Sequence, residues 1–340
     1  MLRIAVLYNE PQIPKDHPLA PSEWEIEEIA HLVVQELRCE GWWPKTWKVT
    51  PDFGCLERIR YHRPDVVFNL FEGFYPGDDS QAVVVSKLEE FGIPYTGNNS
   101  RTLRLTTTKH EAQRVLRSAG LPVPESVTIT SWKNAKESIQ KLAERWPLIV
   151  KPATTDASVG IDVQSVVSNP QELEARIKVI LEQYSAALME EFLPGREFNV
   201  SVIELGETCV LPISEIQFRC REEYPWPIVT YEAKWYPGSL ADQCTQPVCP
   251  AELDIRLRNE LERLALAAFR ATECRQYARI DIRLDREGQP RILEVNANPG
   301  YHPDAGFCRS LREAGWSHAD FTRALVRDAL QRADFPKERR

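Results

Sequence analysis

Two acidic residues, an amide and an arginine lie in one stretch near the end of the chain, at the spacing of a β-hairpin. Apolar and polar residues alternate on both sides of a turn at residues 285–288, which predicts two paired strands. This pairing places Asp281 opposite Glu294 and Arg279 opposite Asn296, with Cβ atoms about 5 Å apart. Two carboxylates and an amide oxygen suit Mg²⁺. The alternative is a solvated charged face, but the Asn-Ala-Asn-Pro-Gly sequence that follows exposes backbone amides and favours a binding site.

Three lysines and a loop of small residues are candidates for binding phosphate. Lys151 ends a predicted strand and precedes the small-residue loop 153–160, whose backbone N–H groups have room to approach phosphate oxygens. Lys109 lies at the start of a predicted helix, and Lys234 lies in a proline-rich stretch. The loop alone is a weak signal. Because the chain has neither a Walker loop nor a G-x-G-x-x-G motif, a nucleotide that binds here does so in another way.

Alternating strands and helices must position these residues, and this alternation is typical of an α/β protein. Strands are predicted at residues 2–8, 65–70, 93–96, 126–130, 148–151, 161–167 and 187–192, and helices at 23–40, 82–91, 109–119, 132–145, 170–183, 251–272 and 317–332. Ser22 is predicted to cap the first helix together with Glu25. Ligands of open α/β sheets bind beyond the carboxyl ends of strands. The loops at 9–23 and 72–80 are therefore candidate parts of a site, or else ordinary surface loops.

The composition allows two or three compact lobes and argues against several classes of function. The 340 residues are 43% hydrophobic and 27% charged, and the net charge of −8 disfavours binding to nucleic acid or anionic membranes. No apolar run approaches the length of a membrane span, and the first residues do not resemble a signal peptide. Eight scattered cysteines are interpreted as buried thiols of a cytoplasmic protein, with zinc binding by Cys244 and Cys249 as the alternative.

Six motifs together resemble the ATP-grasp superfamily, and more closely the D-alanine–D-alanine ligases. They are IPYTG (93–97), LPVP (121–124), IVKP with SVG (149–160), YEAK (231–234), ARID (278–281) and LEVNANPG (293–300). The resemblance spans nearly the whole chain. It implies an α/β (α+β) ATP-grasp fold with an N-terminal substrate lobe (1–104), a central lobe (105–192), a C-terminal catalytic lobe (193–335) and a short tail (336–340). ATP would lie between the central and C-terminal lobes.

The resemblance also implies a role for each candidate residue. Asp281, Glu294 and Asn296 would bind two Mg²⁺ or Mn²⁺ ions on the ATP phosphates, with Glu294 bridging the ions. The phosphates would contact Lys109, Lys151, Lys234 and the loop residue Ser158. The adenine and ribose would contact Glu190, Glu191, Phe192, Leu193 and Glu197. Arg279 and the backbone N–H of Gly300 would stabilise the oxyanion of a tetrahedral intermediate, and Glu23 would receive the amino group of the first substrate.

The implied reaction joins a carboxylate to an amine at the expense of ATP. The carboxylate attacks the γ-phosphate to form an acyl phosphate, and the amine then displaces phosphate to form an amide. The protein positions the groups and neutralises charge, and takes little covalent part. The expected partners are amino acids or short peptides, with no nucleic acid and no membrane, and the resemblance suggests a homodimer through the N-terminal lobe.

This chain departs from the resemblance in the substrate pocket. A serine and a tyrosine of these ligases are replaced by Ala157 and Trp235, a histidine by Glu72, and a further serine by Ala305 beside Asp304. Each lost hydroxyl removes a hydrogen bond worth about 1 kcal/mol. We therefore expect a ligase whose substrates are not two D-alanines. The alternatives are a genuine D-alanine–D-alanine ligase with a drifted pocket, a nucleotide-binding protein without catalysis, and a kinase that stops at phosphorylation.

Overall fold

The computed structural model describes residues 1–74, 79–133, 135, 139, 142, 145–220, 222 and 224–334, and it confirms the predicted mixture of strands and helices. Three sheets lie within the ranges 1–104, 105–192 and 193–335. Most of the helix predicted at 132–145, part of the 72–80 loop and the tail 336–340 lie outside the described residues. None of the described helices is long and apolar enough to cross a membrane.

The N-terminal sheet has three parallel strands in the order β2-β1-β3. The strands are β1 (Arg3–Asn9), β2 (Trp43–Val49) and β3 (Val66–Asn69), and the helices are α1 (Ala20–Cys39), α2 (Gly54–His62), α3 (Ser80–Phe91) and α4 (Ser100–Thr107). Both faces of β1 are buried, as its continuous apolar sequence requires. The strand predicted at 93–96 is only a bridge between Tyr95 and Val67.

Helix α1 begins three residues earlier than the sequence predicts. Its first residue is Ala20, and the Ser22 hydroxyl donates to the Leu19 carbonyl at 2.8 Å instead of capping the helix. The apolar residues at helical spacing, among them Ile26 and Val33, lie on the buried face as expected. Ser22 and Glu25 are therefore both inside the helix and, three residues apart, share one of its faces.

The central sheet is antiparallel, with the order β4-β7-β5-β6. Its elements are α5 (Lys109–Ser118), β4 (Ser126–Ile129), β5 (Leu148–Pro152), β6 (Val166–Val167), α6 (Pro170–Gln183) and β7 (Ala187–Glu191). The strand predicted at 161–167 is wrong over most of its length, because Val163–Ser165 form a 3₁₀ turn capped by the side chain of Asp162. Lys151 lies near the end of β5, as predicted.

The C-terminal sheet is antiparallel, with the order β11-β10-β8-β12-β13 and β9 paired to β8. Its strands are β8 (Glu197–Leu205), β9 (Glu207–Val210), β10 (Ser214–Phe218), β11 (Thr245–Val248), β12 (Gln276–Leu284) and β13 (Pro290–Ala297). The helices are α7 (Tyr231–Trp235), α8 (Leu240–Cys244), α9 (Ile255–Ala271), α10 (Gly306–Glu313) and α11 (His318–Asp334). Alternate residues of β12, such as Ile280 and Ile282, are buried in one core with Leu264 of α9. The polar residues of β12 therefore face the other side of the sheet.

The last helix ties the C-terminal sheet to the N-terminal lobe. Phe321 and Leu325 of α11 share a core with Val33 of α1 and with Tyr277 of β12. Glu36 of α1 accepts hydrogen bonds from this helix as well, for example from Thr322 at 2.8 Å. The N-terminal and C-terminal sheets are thus held against each other by a common apolar core.

The interpretation of all eight cysteines as buried thiols is wrong. Cys220 and Cys244 form a disulfide with their Cα atoms 5.4 Å apart, and Cys39 and Cys209 are exposed. Cys244 is therefore not a zinc ligand with Cys249. Among the described residues, no group of three His, Cys, Asp or Glu side chains is placed to hold a metal ion.

Candidate active site

The hairpin β12–β13 forms in the predicted register. Asp281 lies opposite Glu294, and Arg279 lies opposite Asn296. The register shifts directly after Asp281, and a β-bulge of this kind re-aims the side chains beside it. The two acids, the amide and the arginine therefore lie together on the face of the sheet opposite the apolar core.

Asp281 is the centre of the hydrogen-bond network on this face. Arg279 donates to both of its oxygens, from Nε and Nη2, each at 2.7 Å. Asn296 Nδ2 donates to Asp281 Oδ2 at 3.0 Å and to Glu294 Oε1 at 3.2 Å. Asn199 of β8 donates to Asp281 Oδ1 at 2.7 Å. Asn199 is a site residue that the sequence does not reveal, because it lies 82 positions away and only the sheet order brings it here.

The surroundings shift the pKa values of the two adjacent acids in opposite directions. Burial raises the pKa of Asp281, although the neighbouring Arg279 opposes that shift. Burial alone would raise the pKa of Glu294 too, but the positive charges of Lys109, Lys151 and Arg279 lower it to about 2. The face therefore keeps a carboxylate charge that is surrounded by cations.

The chemistry of this donor set fits a magnesium ion. Glu294 and Asn296 are only half-buried, so their oxygens are open to the cleft, and Asp281 lies beside them. The Asn296 amide now points its nitrogen at the acids, and rotation of the amide by 180° presents its oxygen instead. Two carboxylates and an amide oxygen are hard donors of the kind that Mg²⁺ prefers.

Two of the predicted phosphate-binding lysines are buried near the hairpin. Lys151 forms an ion pair with Glu190 of β7, and Lys109 at the start of α5 donates to the carbonyl of Thr155. Asp156 is 3.6 Å from the Lys109 ammonium. Burial would lower the pKa of Lys151, but Glu190 raises it overall, so this lysine stays charged. Both ammonium groups lie close enough to Glu294 to lower its pKa.

The residues predicted to surround adenine and ribose lie at the end of β7, directly after it, and at the start of β8. They are Glu190, Glu191, Phe192, Leu193 and Glu197. Glu190 is almost fully buried and accepts a hydrogen bond from Gln113 as well as pairing with Lys151. Glu197 forms an ion pair with Arg283 at 3.0 Å. The side chain of Glu190 is thus occupied by Lys151 and Gln113. A base that binds beside this segment would therefore contact its backbone.

The segment that carries Lys234 connects all three lobes. Trp235 Nε1 donates to the carbonyl of Ala157 in the central loop at 2.9 Å. Tyr231, on the same short helix α7, donates from its hydroxyl to Ser22 of α1 at 3.1 Å. The Lys234 side chain is exposed to solvent. Partial desolvation by the surrounding protein and the positive charge of Arg279 both lower its pKa. The segment therefore links α1 to the loop at Ala157 and carries Lys234 within electrostatic reach of Arg279 and Glu294.

The small-residue loop 153–160 has an unusual backbone at the residues beside the Trp235 contact. Ala157 and Ser158 both have positive φ angles, 58° and 60°. Residues other than glycine adopt this conformation at an energetic cost, and such outliers cluster at ligand-binding loops. The position of Ser158 in this turn is consistent with the predicted contact between the loop and phosphate.

Glu23, predicted to receive the amino group of the first substrate, lies in the first turn of α1 and contacts the loop after β1. Glu23 Oε2 accepts the backbone N–H groups of Gln12 and Ile13, at 2.6 and 3.1 Å. The side chain is buried, and its charge is directed to the loop after β1. Glu25, two residues later, is half-buried and is an additional site residue.

Glu25 and Glu72 lie within electrostatic reach of Lys234. Burial raises the pKa of Glu25, and the charges of His302 and Lys234 oppose the shift. Burial and the nearby Glu25 raise the pKa of Glu72 to about 7. The Glu72 side chain is exposed to solvent, so solvent screens part of this shift. The predicted pocket residue Asp304 also acts on Glu25, from the turn after β13.

The remaining predicted residues lie at the mouth of the cleft beyond β13. Gly300 is exposed, and its N–H donates no hydrogen bond within the described part of the chain. Ala305 is the N-cap residue of α10 and offers no side-chain oxygen there. A carboxylate or an oxyanion approaching this turn would therefore meet backbone N–H groups rather than a hydroxyl.

The family and the relatives of the chain follow from comparison with known proteins. The profile of the family described as D-ala D-ala ligase C-terminus matches residues 115–327. The chain belongs to the D-alanine–D-alanine ligase family. The uncharacterized protein y4sG of Sinorhizobium fredii is 33% identical over 97% of this chain and 98% of its own length. A D-alanine–D-alanine ligase of Actinobacillus succinogenes is 32% identical over 84% of this chain and 86% of its own length.

Solved structures of this ligase family share the fold. The D-alanine–D-alanine ligase of Bacillus anthracis complexed with ATP superimposes with a TM-score of 0.78, at 20% identity over 98% of this chain and 99% of that one. The chain is thus an ATP-grasp, D-alanine–D-alanine ligase-like protein. In this member of the family the predicted metal residues lie together on the hairpin, and Lys109 and Lys151 are within electrostatic reach of Glu294.

Proposed function

We propose that this protein is an ATP-dependent carboxylate–amine ligase that forms an amide bond through an acyl phosphate. Membership of the D-alanine–D-alanine ligase family supports this reaction class. The observation that carries it is the convergence of Asp281, Glu294 and Asn296 beside Arg279, within the electrostatic reach of Lys109 and Lys151. The acids of this hairpin are suited to bind a metal ion, and the lysines beside it are suited to bind the phosphates of a nucleoside triphosphate.

Each group of residues has a role in this proposal. Asp281, Glu294 and Asn296 would hold one or two Mg²⁺ ions, for which Mn²⁺ is a substitute, and the bound metal would neutralise charge on the γ-phosphate. Lys109, Lys151 and Lys234 bind phosphate oxygens as point charges. The pairs Lys151–Glu190 and Lys109–Asp156 hold two of these lysines in place before a nucleotide arrives.

The chemistry is a two-step transfer at the acid substrate. An oxygen of its carboxylate forms a bond to the γ-phosphorus, and ADP leaves. The amine nitrogen then bonds to the carbonyl carbon, loses a proton, and the carbon–oxygen bond to phosphate breaks. Arg279 and the Gly300 N–H stabilise the oxyanion of the intermediate, and one such donor typically contributes about 3 kcal/mol.

The substrates are proposed to be small carboxylates and amines other than two D-alanines. Glu72, Ala157, Trp235 and the turn of Asp304 present charges and an indole where the resemblance implies a histidine, serines and a tyrosine. The second candidate is a genuine D-alanine–D-alanine ligase, because curated relatives of about the same similarity bear that name. A homodimer and a cytoplasmic location are part of the proposal.

The test is an assay of ATP cleavage over a matrix of acids and amines. D- and L-amino acids and dipeptides are supplied singly and in pairs with Mg²⁺, and the amide products are identified by mass spectrometry. We expect ADP only when an acid and an amine are both present. D-alanine as a sufficient sole substrate would support the second candidate.

Two results would contradict the proposal. Tight ATP binding without turnover over the whole matrix would indicate a nucleotide-binding protein without ligase activity. Stoichiometric accumulation of a stable phosphorylated acid in the presence of amines would indicate a kinase. The Arg279 side chain argues against the kinase, because phosphorylation alone forms no tetrahedral carbon.

A further inference from the structure

Arg283 is a buried cation on the same face of β12 as Arg279 and Asp281. The three residues alternate with the apolar residues of the strand, so they follow one another along the face of the sheet that carries the candidate metal site. Arg283 lies directly opposite Glu197 of β8, and its side chain is only 5% exposed. A buried arginine needs a carboxylate and further acceptors for its N–H groups, because an unsatisfied buried charge is costly. The acceptors of Arg283 therefore show which parts of the chain it holds in place.

All three nitrogens of the Arg283 guanidinium donate hydrogen bonds, each to a different part of the chain. Nε donates to the carbonyl of Gly195 at 3.2 Å, and Nη1 donates to Glu197 Oε2 at 3.0 Å. Nη2 donates to the carbonyl of Pro227. Gly195 lies between β7 of the central lobe and β8 of the C-terminal lobe, and Pro227 lies in the segment that leads to α7 and Lys234. One side chain thus joins the lobe junction, the strand that carries Glu197 and the segment that carries Lys234.

Two aromatic rings contact the guanidinium between these acceptors. Arg283 Cζ lies over the rings of Phe192 and Phe218, 5.2 Å from each ring centroid. Phe192 directly follows β7 and Phe218 ends β10, so the rings belong to the central and the C-terminal lobe. The face of an aromatic ring attracts a cation. The three hydrogen bonds and the two rings leave the guanidinium little freedom to move, and it is therefore a rigid partner for Glu197.

Arg283 occupies only one oxygen of Glu197. Oε2 accepts from Arg283, whereas Oε1 accepts no hydrogen bond within the described part of the chain and is accessible to solvent. Burial raises the pKa of Glu197, and Arg283 is the cation that opposes this shift most. A carboxylate with one oxygen held by an arginine and the other accessible is suited to accept hydrogen bonds from the hydroxyl groups of a ligand.

We propose that Arg283 is a positioning residue of the nucleotide site, which holds Glu197 so that Oε1 meets the hydroxyl groups of the nucleotide sugar. This inference rests on the proposed ligase function and on the ribose contact that the resemblance implies for Glu197, and it adds the residue that sets this contact. Arg283 acts through Glu197 and not by touching the reacting atoms. Because Arg283 also binds the carbonyl of Pro227, it fixes the sugar contact relative to the segment that carries Lys234.

The experiment compares nucleotides with and without the sugar hydroxyls. Calorimetry with Mg²⁺ measures the binding of a non-hydrolysable ATP analogue, and of its counterpart that lacks both ribose hydroxyls, to the wild type, Arg283→Met, Arg283→Lys and Glu197→Gln. The readout is the ratio of the two affinities, which a general loss of stability does not change. Arg332→Met is the matched control, because Arg332 donates to the carbonyl and the carboxylate of Glu204 at the other end of β8, at 3.1 and 3.0 Å.

The wild type should bind the complete analogue about ten- to hundredfold more tightly than its counterpart, since hydrogen bonds to charged groups are the strong ones. Arg283→Met should bring this ratio close to one by weakening only the complete analogue, and Arg332→Met should keep the wild-type ratio. Glu197→Gln should also lower the ratio, and adding Arg283→Met to it should cause no further loss, as expected for two residues that act as a unit.

Arg283→Lys keeps a positive charge beside the buried Glu197, so it decides the question if Arg283→Met does not fold. An ammonium group lacks the planar fork with which the guanidinium reaches three acceptors. Arg283→Lys should therefore lower the ratio of affinities by about threefold or more while its thermal melting stays close to that of the wild type.

Three results would overturn the inference and leave the ligase proposal standing. The first is a ratio near one in the wild type, and the second is a wild-type ratio in Arg283→Lys or in folded Arg283→Met. The third is an additive loss in the variant that combines Arg283→Met with Glu197→Gln, which would mean that Arg283 does not act through Glu197. Failure of the ligase proposal is recognised separately, because the wild type would then form no ADP with any acid and amine while calorimetry still measures the ratio.

Discussion

Glu294 and Asp281 are neighbours in the candidate metal site, and their neutral isosteres are predicted to lower stability for different reasons. Glu294→Gln removes a charge that Lys109, Lys151 and Arg279 stabilise, so the metal-free protein should lose stability. Asp281→Asn takes away the carboxylate that pairs with the buried Arg279 and accepts from Asn199, so this variant should lose stability as well. Both variants should lose ATP turnover by about a thousandfold, since each removes a ligand of the proposed metal.

The size of the effect follows from the lowered pKa of Glu294. A shift from 4.5 to about 2 corresponds to about 3 kcal/mol in favour of the charged form. Because the side chain is only half-buried, solvent screens part of this, and about 2 kcal/mol is a better expectation. This stabilisation is fully present above the unfolded pKa of 4.5 and is lost as the pH falls through the folded pKa near 2. A chain of this size should therefore melt about 3 °C lower at pH 7 as the Glu294→Gln variant.

Thermal melting and urea denaturation at pH 7 in EDTA test this prediction without any contribution from metal or nucleotide. If Glu294→Gln is as stable as the wild type, the neighbouring cations do not stabilise the Glu294 carboxylate, and the prediction is wrong. Full stability of Asp281→Asn would also contradict the reasoning, because it would mean that the buried Arg279 does not need its carboxylate partner. Near-normal turnover in both variants would remove these residues from the catalytic site.

Three further predictions concern the surroundings of the site. Lys151→Met leaves its buried glutamate partner unpaired and should lower the free energy of unfolding by about 3–5 kcal/mol. Glu72 has a raised pKa of about 7, so the folded state binds more protons than the unfolded state between pH 4.5 and 7. The melting temperature of the ligand-free protein should therefore fall as the pH rises through that range. The Glu72→Gln variant should have a flatter profile. Gly195→Ala places a Cβ 2.6 Å from the Leu284 carbonyl oxygen and should cost about 1–3 kcal/mol in urea denaturation, whereas Gly300→Ala meets no atom within 4 Å and should not.

Each of these predictions has a contradicting outcome. Full stability of Lys151→Met would show that Glu190 is satisfied by Gln113 alone. A melting temperature of the wild type that stays level or rises between pH 5 and 8, with Glu72→Gln following the same profile, would mean that Glu72 is freely solvated. Equal destabilisation by both glycine variants would assign the effect to backbone flexibility rather than to the close contact at Gly195.

The hairpin was predictable because its information is local. Alternation and the turn fix which residues face each other, so Asp281 and Glu294 were paired correctly from sequence alone. Asn199 was not predictable, because its strand is separated from the hairpin by most of the C-terminal lobe and is brought to it by the sheet order. The disulfide was missed for the same reason, since the pairing of β10 with β11 brings Cys220 to Cys244.

The interpretation of Glu25 shows a second limit of sequence patterns. A serine followed three residues later by a glutamate is the spacing of a capping box, but it is also the spacing of two residues on one helix face. The pattern fits both, and only the position at which α1 begins, Ala20, decides between them. The setting of Glu23 depends on the path of the loop at Gln12, which has no periodic pattern to predict it.

The acyl phosphate is the central claim, and transfer of oxygen from the acid substrate to phosphate tests it most directly. The acid is labelled with ¹⁸O in its carboxylate, the reaction is run with ATP, Mg²⁺ and an amine, and the released phosphate is analysed by mass spectrometry. Because the carboxylate oxygen that attacks the γ-phosphorus leaves with phosphate, one labelled oxygen should appear in each phosphate released. Amide formation with unlabelled phosphate would contradict the account.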